Sequence, residues 1–170
     1  YSPAQPTQPE KVSAMDFSVK IDGLERIDKA TARVRAAIAN ELAKGMFASV
    51  KKVEKEAKQS ILQGDKSGRV YKKSHYKSVF HRASAPGEAP ASDTGLLVNS
   101  LRGKLDKLAL GSGSLEGTVT VGVSYGKLLE FGTTKMQPRP FLFPAFERSK
   151  AFIRERLNKA VRAAVLKSGK

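Results

Sequence analysis

Apolar side chains recur at steps of three, four or seven between Leu24 and Leu62. The positions are Leu24, Ile27, Val34, Ile38, Leu42, Met46, Val50, Val53, Ala57 and Ile61. This spacing places the apolar residues along one face of a helix, so it predicts a long amphipathic helix that ends at Gln63 and Gly64. Gly45 lies inside this stretch and is a candidate for a bend.

A second helical pattern occupies the end of the chain. Pro144 suits the first position of a helix, because proline needs no backbone N–H partner there. The apolar face that follows consists of Phe146, Ile153, Leu157, Val161 and Ala164. Basic residues occupy the opposite face, so we predict a basic C-terminal helix.

Two strands are predicted around the glycine-rich stretch GSGSLEG, Gly111 to Gly117, which would close a hairpin. The second strand has the two-residue period of a half-buried strand. Its apolar positions are Val119, Val121 and Val123, and its polar positions are Thr118, Thr120 and Ser124. The first strand, Leu101 to Leu110, alternates less regularly, and a helix remains an alternative there.

The remaining segments lack a clear period. Residues 1–15 are rich in proline and poor in apolar side chains, which predicts a flexible N-terminal arm. We expect Ser67 to Phe80 to be irregular and Ser84 to Gly95 to form a proline- and glycine-rich loop. Asp93 or Thr94 is expected to cap a short helix through the sequence LLVNSL.

The order of these elements favours a single α+β domain over residues 16–170. It would consist of a long N-terminal amphipathic helix, a small antiparallel β-sheet with a central hairpin, and the basic C-terminal helix. A chain of 170 residues with 40% hydrophobic residues suits one such core. We expect no signal peptide and no membrane span, since no apolar run approaches about 20 residues.

Charge and cysteine content limit the partners and the kinds of site that this protein can have. The chain has 31 Lys and Arg against 16 Asp and Glu, a net charge of +15, which favours an acidic partner such as nucleic acid, an acidic protein surface or an anionic membrane. The absence of cysteine excludes disulfides and thiolate metal sites. The segment Lys66 to Arg82 interleaves lysines with Tyr71, Tyr76 and Phe80, which suits either single-stranded nucleic acid or a solvated loop whose rings pack on the helices.

Candidate catalytic residues are few. Asp93 to Gly95 spells DTG, the triplet of retroviral-type aspartic proteases, but that chemistry needs a buried apolar strand before it, and APAS precedes it here. His75 and His81 have no third ligand at metal spacing. Glu130 lacks a catalytic companion, so we expect a structural hydrogen bond or a subunit contact. We therefore predict no enzyme, no cofactor and no metal site.

Several motifs in order resemble a known family. They are SAPGEAPASDTGLLVNSL, the glycine-closed hairpin, and YGKLLEFGTTKMQPRPFLFPAFE. Over about Gly64 to Glu147 the chain resembles the tail-component family of long-tailed bacteriophages, the tail-completion or head-to-tail joining proteins. The matching blocks are Ala85 to Pro90, Asp93 to Leu97, Tyr125 to Thr133, and Arg139 to Ala145. The residues of structural or assembly interest are Pro86, Gly87, Asp93, Thr94, Gly95, Tyr125, Glu130, Phe131, Gly132, Thr133, Arg139, Pro140, Phe141 and Pro144.

The resemblance implies a structural protein of the virion neck, present in the host cytoplasm during assembly. It implies a homo-oligomer, a sixfold ring, that connects the tail tube or terminator protein to the head connector and stopper proteins. A contact with genomic DNA in the lumen is a further expectation. The alternatives are a tail terminator, a portal-proximal connector, or a basic nucleic-acid-binding protein.

The phenylalanines of the last motif have an expected structural role. We predict a core clamp in which Phe131, Phe141, Phe143 and Phe146 anchor a strand and loop against the last helix. Gly132 and the two prolines of the Pro-Arg-Pro triplet would fix the path of the chain. The outer side of this clamp would be free to contact a neighbouring subunit in a ring, through heterologous contacts.

Overall fold

A computed structural model describes residues 15–21, 32–72, 80–105 and 115–168. The elements in chain order are β1 (Met15–Ile21), α1 (Ala32–Gln63), β2 (Val70–Lys72), β3 (Phe80–Arg82), α2 (Leu96–Ser100), β4 (Leu101–Leu105), β5 (Leu115–Val121), α3 (Gly126–Phe131) and α4 (Leu142–Ser168). The chain is therefore α+β, as predicted, with antiparallel strand pairing.

The larger sheet has the strand order β1-β5-β4, with β5 in the centre. β5 pairs antiparallel with β4 from Leu101↔Val121 to Leu105↔Gly117, so the two predicted strands are paired, and Leu101–Leu105 is a strand and not the alternative helix. Residues 106–114 lie outside the described ranges. Gly117, which we assigned to the connecting loop, is instead inside β5. The strand ends at Val121, so the predicted positions Val123 and Ser124 lie beyond it. Thr118, predicted on the polar face, is buried.

Helix α1 packs on one face of this sheet because two glycines leave room for it. A Cβ atom on Gly117 would lie 2.4 Å from Val50 Cγ2, and one on Gly103 would lie 2.7 Å from Val50 Cγ1. Neither position has space for a side chain. The buried residues of α1 that form the core are Ala39, Leu42, Met46, Val50, Val53, Ala57 and Ile61.

Helix α4 packs alongside α1. Gly45 lies at this contact, where an added Cβ would come within 2.9 Å of Ala160 Cβ. Gly45, which we considered as a bend, thus has a packing role inside α1. Burial along α4 agrees with the predicted face at Ile153 and Ala164, whereas Val161 is 48% exposed and does not belong to it.

The helix boundaries differ in part from the prediction. The helix expected from Leu24 is described from Ala32, because residues 22–31 lie outside the described ranges, and it ends at Gln63 as expected. β1 precedes it, so the long helix is not the N-terminal element of the described chain. α4 begins at Leu142 rather than at Pro144, which is its third residue.

The basic segment after α1 also differs. Val70–Lys72 and Phe80–Arg82 pair antiparallel as β2 and β3, so the expectation of an irregular segment is wrong for these residues. Residues 73–79 lie outside the described ranges, as does the predicted arm except for Met15, which begins β1. None of the helices described has the length and apolar character required to cross a membrane.

Candidate functional site

Glu130, which lies on α3, accepts hydrogen bonds from backbone N–H groups at the start of α4. This glutamate is 5% exposed. Its Oε2 atom accepts hydrogen bonds from the backbone N–H groups of Phe141 at 2.8 Å and Leu142 at 3.0 Å, and Oε1 accepts one from Phe143 at 2.8 Å. The first N–H groups of a helix have no partner inside it, and the helix dipole favours a negative charge there. The expected structural hydrogen bond of Glu130 is thus confirmed as a helix cap.

Gly132 allows the chain to leave α3 in the direction of Arg139. Its φ of 75° lies in the left-handed region, and an added Cβ would lie 2.7 Å from the Met136 carbonyl oxygen. The turn closes with Thr133 N–H donating to Met136 O at 2.8 Å. Arg139 N–H then donates to Leu129 O at 2.7 Å, which returns the segment to α3. The predicted role of Gly132 in fixing the chain path is confirmed.

The loop around Pro86 and Gly87 contacts this same segment. Gly87 has a φ of 84°, and its N–H donates to Pro138 O at 2.9 Å. Pro86 itself is exposed. The block that contains Gly87 is thereby joined, through the backbone, to the residue directly before the block Arg139 to Ala145.

Glu88 fastens the loop to the end of α1. Its carboxylate accepts hydrogen bonds from the hydroxyl and N–H of Ser67 and from Ala85 N–H. These bonds, those of Ser67 first, lower the pKa of Glu88 to about 2. Lys66 Nζ donates to Ser60 O at 3.2 Å and to Ala89 O at 2.9 Å, and burial lowers its pKa. The sequence analysis missed both residues.

The phenylalanine clamp is only half confirmed. Phe141 is fully buried and Phe146 is partly buried against the core. Phe131 is 65% exposed and Phe143 is 53% exposed, so the prediction is wrong for these two rings. The helical period explains the difference at Phe143, because the inward positions of the first turns of α4 are Leu142 and Ala145.

Exposed apolar side chains also occur at the start of α3 and along it. Tyr125, Leu128 and Phe131 follow one another at three-residue steps and are 40%, 49% and 65% exposed. We call these three residues the α3 apolar face. The backbone of Phe143 is next to this helix, since its N–H donates to Glu130. Apolar side chains that are exposed together in this way mark an interaction surface more often than isolated ones do.

The Asp-Thr-Gly triplet does not cap α2 as predicted. Gly95, with a φ of 77°, occupies the N-cap position, so Asp93 lies two residues too early in the chain. Thr94 Oγ1 accepts only a long hydrogen bond, 3.4 Å, from Leu96 N–H. Asp93 Oδ1 lies 3.9 Å from His81 Nδ1 of β3.

A surface cavity of about 180 Å³ lies beside this triplet. It brings together Asp93, Thr94 and Gly95 with Tyr125 and Arg139, residues of three different motif blocks. The other predicted residues, from Glu130 to Pro144, lie at the junction of α3 and α4. Among them, Thr133 is exposed, whereas Pro140 and Pro144 are half-buried.

Glu54 is a second buried acid that the sequence analysis missed. It accepts hydrogen bonds from Lys51 and Lys58 at 2.7 and 2.6 Å, and from Gly103 N–H at 2.9 Å. Burial by itself raises the pKa of Glu54, but the hydrogen bonds of the two lysines and Gly103 lower it to about 2. A signal was present in the sequence, because an acid beside Val53 in the apolar stripe with lysines three residues before and four after it can form such pairs.

The paired strands β2 and β3, which we call the basic ribbon, carry exposed rings and cations. Tyr71 and Phe80 are 51% and 63% exposed. The Arg69 guanidinium lies 5.6 Å from the centre of the Tyr71 ring, at the distance of a cation–π contact. The alternative in which the rings pack back on the helices is therefore wrong for Tyr71 and Phe80, while His75 and Tyr76 lie outside the described residues.

Within the described ranges, no three His, Asp or Glu side chains lie together as a metal site requires. Comparison of the chain with protein-family models, curated proteins and solved structures gives no match.

Proposed function

We propose that this chain is a structural subunit of the neck of a long-tailed bacteriophage, a tail-completion or head-to-tail joining protein. The observation that carries the proposal is the meeting of separate motif blocks in one hydrogen-bonded unit. Gly87 bonds to Pro138, Arg139 bonds to Leu129, and Glu130 bonds to Phe141. The blocks on which the resemblance rests thus support one another in space.

The chemistry of these residues favours an architectural role over a catalytic one. The carboxylates of Glu130 and Glu88 accept hydrogen bonds from backbone N–H groups, so they fix the chain and are not directed at a substrate. We accordingly propose no enzymatic activity, cofactor or metal for this protein.

The outward surfaces suit assembly into a ring. The α3 apolar face gives one exposed surface, and the basic ribbon gives a second surface of different chemistry. A ring of identical subunits needs two different patches that meet on successive copies. We propose a sixfold ring between the tail tube or terminator protein and the head connector and stopper proteins.

The positive charge fits this placement. A net charge of +15 favours acidic surfaces on neighbouring virion proteins and a contact with genomic DNA in the lumen of the ring. The exposed basic residues of α4, including Arg154, Lys159 and Arg162, provide one such surface. A terminator of the tail tube or a portal-proximal connector would use the same features, and the position in the particle distinguishes them.

Electron cryomicroscopy of virions tests the placement. We expect density for this chain at the neck, as a single ring of six copies. Density inside the capsid or at the distal tail tip would contradict the proposal. Comparing virions with and without an epitope tag fused to this protein provides the control for assigning the density.

A second candidate function is nucleic-acid binding, and the basic ribbon is the observation that favours it. Exposed rings beside cations can stack on bases and contact phosphates. If this were the main function, the purified protein would bind single-stranded DNA tightly at physiological salt, and Phe80→Ala would weaken that binding while Phe47→Ala, an exposed ring on α1, would not. If the protein bound DNA at low salt only and not at physiological salt, that binding would be the nonspecific electrostatic attraction of a basic protein.

A further inference from the structure

The two long helices carry most of the excess positive charge of the chain. Helix α1 has seven Lys and Arg against three Glu, and α4 has seven against two. Fourteen cations against five acids give these helices a net charge of +9, out of +15 for the whole chain. Since α1 and α4 lie side by side, this charge is concentrated on one part of the molecule.

Ion pairs already occupy most of the acids on these helices. The pairs are Glu41 with Lys44, Glu54 with Lys51 and Lys58, Glu56 with Lys52 and Arg148, and Glu147 with Lys150. No carboxylate of a described residue lies within ion-pair distance of Arg156 or Lys159 on α4. The charges of these two residues are therefore available to a partner.

Close packing of α1 and α4 brings cations of both helices to one cavity. An added Cβ on Gly45 of α1 would lie 2.9 Å from Ala160 Cβ of α4, so the helices approach closely there. Beside this contact, a cavity of about 110 Å³ is lined by Lys44 of α1 and by Arg156 and Lys159 of α4. Like charges around one cavity repel one another, and an anion bound between them would offset that repulsion.

A second cavity, of about 130 Å³, shares two of these cations. Its lining consists of Phe152, Glu155, Arg156 and Lys159 of α4. Each of the two cavities is far larger than the 10–15 Å³ or so that a single water needs, so each has room for an anionic group. Because Arg156 and Lys159 line both, a partner with repeated anionic groups can contact both cavities at once. We call the surface formed by the two linings the helix-pair surface.

The lining of this surface favours the phosphates of a duplex over other anions. Among the described residues that line the two cavities, Phe152 alone is large and apolar, and Lys52 Nζ lies 5.8 Å from the centre of its ring. Protein–protein interfaces depend on apolar and aromatic anchors, whereas protein–DNA interfaces are much more positively charged. Single strands require several exposed rings for stacking, but a duplex keeps its bases inside and presents phosphates.

We propose that the helix-pair surface binds the phosphate backbone of double-stranded DNA without reading its sequence. The planar guanidinium of Arg156 suits two phosphate oxygens, and the ammonium groups of Lys44 and Lys159 add point charges. This inference deepens the DNA contact of the proposed function and rests on it for the identity of the duplex, the genome in the lumen. The cations and cavities belong to one chain, so the purified protein can test them.

The experiment is a fluorescence anisotropy titration of a mixed-sequence duplex oligonucleotide with the full chain, at salt concentrations from about 50 to 200 mM. The double variant Arg156→Gln, Lys159→Gln is compared with Lys72→Gln, Arg82→Gln, which removes the same charge from exposed positions on the basic ribbon. We expect the first variant to weaken binding by about tenfold or more and to reduce the salt slope by about 2, since two phosphate contacts are lost. The second should change neither. Equal losses in both variants would show diffuse attraction and overturn the proposal.

Parallel titrations distinguish the kind of polyanion. A single strand of the same sequence that binds more tightly than the duplex would overturn the assignment in favour of the basic ribbon. Poly-L-glutamate that binds more tightly than the duplex through Arg156 and Lys159 would assign the surface to an acidic protein instead. A chain that fails to bind the duplex even at about 50 mM salt would overturn this inference, whereas placement at the neck is decided separately by cryomicroscopy.

A second variant covers the case in which the first does not fold. The side chain of Arg156 is half-buried, so thermal melting must show that Arg156→Gln, Lys159→Gln is folded. If it is not, Lys159→Gln combined with Arg162→Gln gives the same test, because both side chains are exposed on α4. Unchanged duplex affinity in that folded variant would contradict the proposal.

Discussion

At the scale of single residues, the motif YGKLLEFGTTKMQPRPFLFPAFE separates into inward and outward side chains that differ in role. Phe141 is buried, whereas Phe143, two residues later, is 53% exposed. Phe141 lies just before α4, whereas Phe143 is the second residue of this helix and lies on a different face from the buried Leu142. The two rings therefore make a matched pair for mutation.

We predict that Phe141→Ala lowers the free energy of unfolding by about 3 to 5 kcal/mol, because it removes a buried ring and leaves a cavity. Phe143→Ala should cost less than about 1 kcal/mol, because the ring is half in solvent. Urea unfolding followed by circular dichroism measures both. Equal losses for the two variants would show that exposure does not separate their roles.

Glu130 gives the second prediction at this scale. Glu130→Ala leaves three backbone N–H groups at the start of α4 without their acceptor, which should cost about 2 kcal/mol or more. Glu147→Ala, an exposed glutamate one turn into α4, is the control. Hydrogen exchange should show faster exchange at Leu142 and Phe143 in the first variant only. Unchanged protection there would contradict the capping role.

At the scale of elements, the glycines and buried acids determine how helices, turns and strands fit together. Gly103 and Gly117 let α1 approach the sheet, and Glu54 joins α1 to the backbone of β4 through Gly103 N–H. Gly132 has a different function, since its φ of 75° lets the chain turn after α3. These residues act where one element contacts another, and a local sequence period does not predict the distance between two elements.

The Gly132→Ala variant tests the turn. A Cβ at this position would be 2.7 Å from Met136 O, and the left-handed backbone is unfavourable for alanine, so we expect a loss of about 1 to 2 kcal/mol or more. Gly122→Ala is the matched control, because that glycine has no positive φ and an added Cβ would meet its nearest atom at 3.4 Å. Melting temperatures that fall equally for both variants would argue against the strained turn.

The Glu54→Gln variant tests the link between α1 and β4 through its pH dependence. The folded-state pKa is about 2 against the ordinary 4.5, so the carboxylate stabilises the fold above pH 4.5 and this contribution is lost as the pH falls toward 2. We expect the variant to be less stable than the native chain by about 2 kcal/mol at pH 7, and the difference to shrink below pH 4.5. Exposed Glu155→Gln is the control. A difference that stayed constant from pH 7 to pH 2.5 would exclude the ionised carboxylate as its cause.

At the scale of the whole molecule, a small α+β core carries surfaces that its own fold leaves uncovered. The α3 apolar face, Phe143 and the basic ribbon are exposed while the core between α1, α4 and the sheet is closed. A neck subunit has to stay soluble before its platform exists and then bind on it. The proposed function therefore predicts different oligomeric states before and after assembly.

We predict that the purified chain is a monomer or a weak oligomer and that it forms a ring of six on the assembled particle. Mass photometry of the free protein and cryomicroscopy of virions measure the two states. The double variant Phe131→Ala, Phe143→Ala should leave the monomer folded but reduce its incorporation into particles. Phe47→Ala, a change at another exposed ring, should leave both folding and incorporation unchanged. A stable closed ring in the purified protein would be inconsistent with assembly on a platform.

Local sequence patterns determined the elements whose period is strong. The stripe that ends at Gln63 and the basic pattern of α4 each repeat over several turns, so a single face is defined without any knowledge of the partner. The alternation in β5 predicted a strand but not its burial, since Thr118 on the expected polar face is buried. The same reasoning could have found β1, because MDFSVKI alternates apolar and polar residues.

The tertiary structure alone decided the contacts between distant segments. The Glu130 cap of α4, the contact between Gly87 and Pro138, the pairing of β2 with β3, and the cavity that contains Ser84 and Arg139 all join residues that no period relates. Asp93 shows the same limit, since a cap that fits the local sequence was displaced by the left-handed turn at Gly95. Periodicity reports which face of an element is apolar, whereas hydrogen-bond partners depend on which elements meet, and that is fixed only when the chain packs into one core.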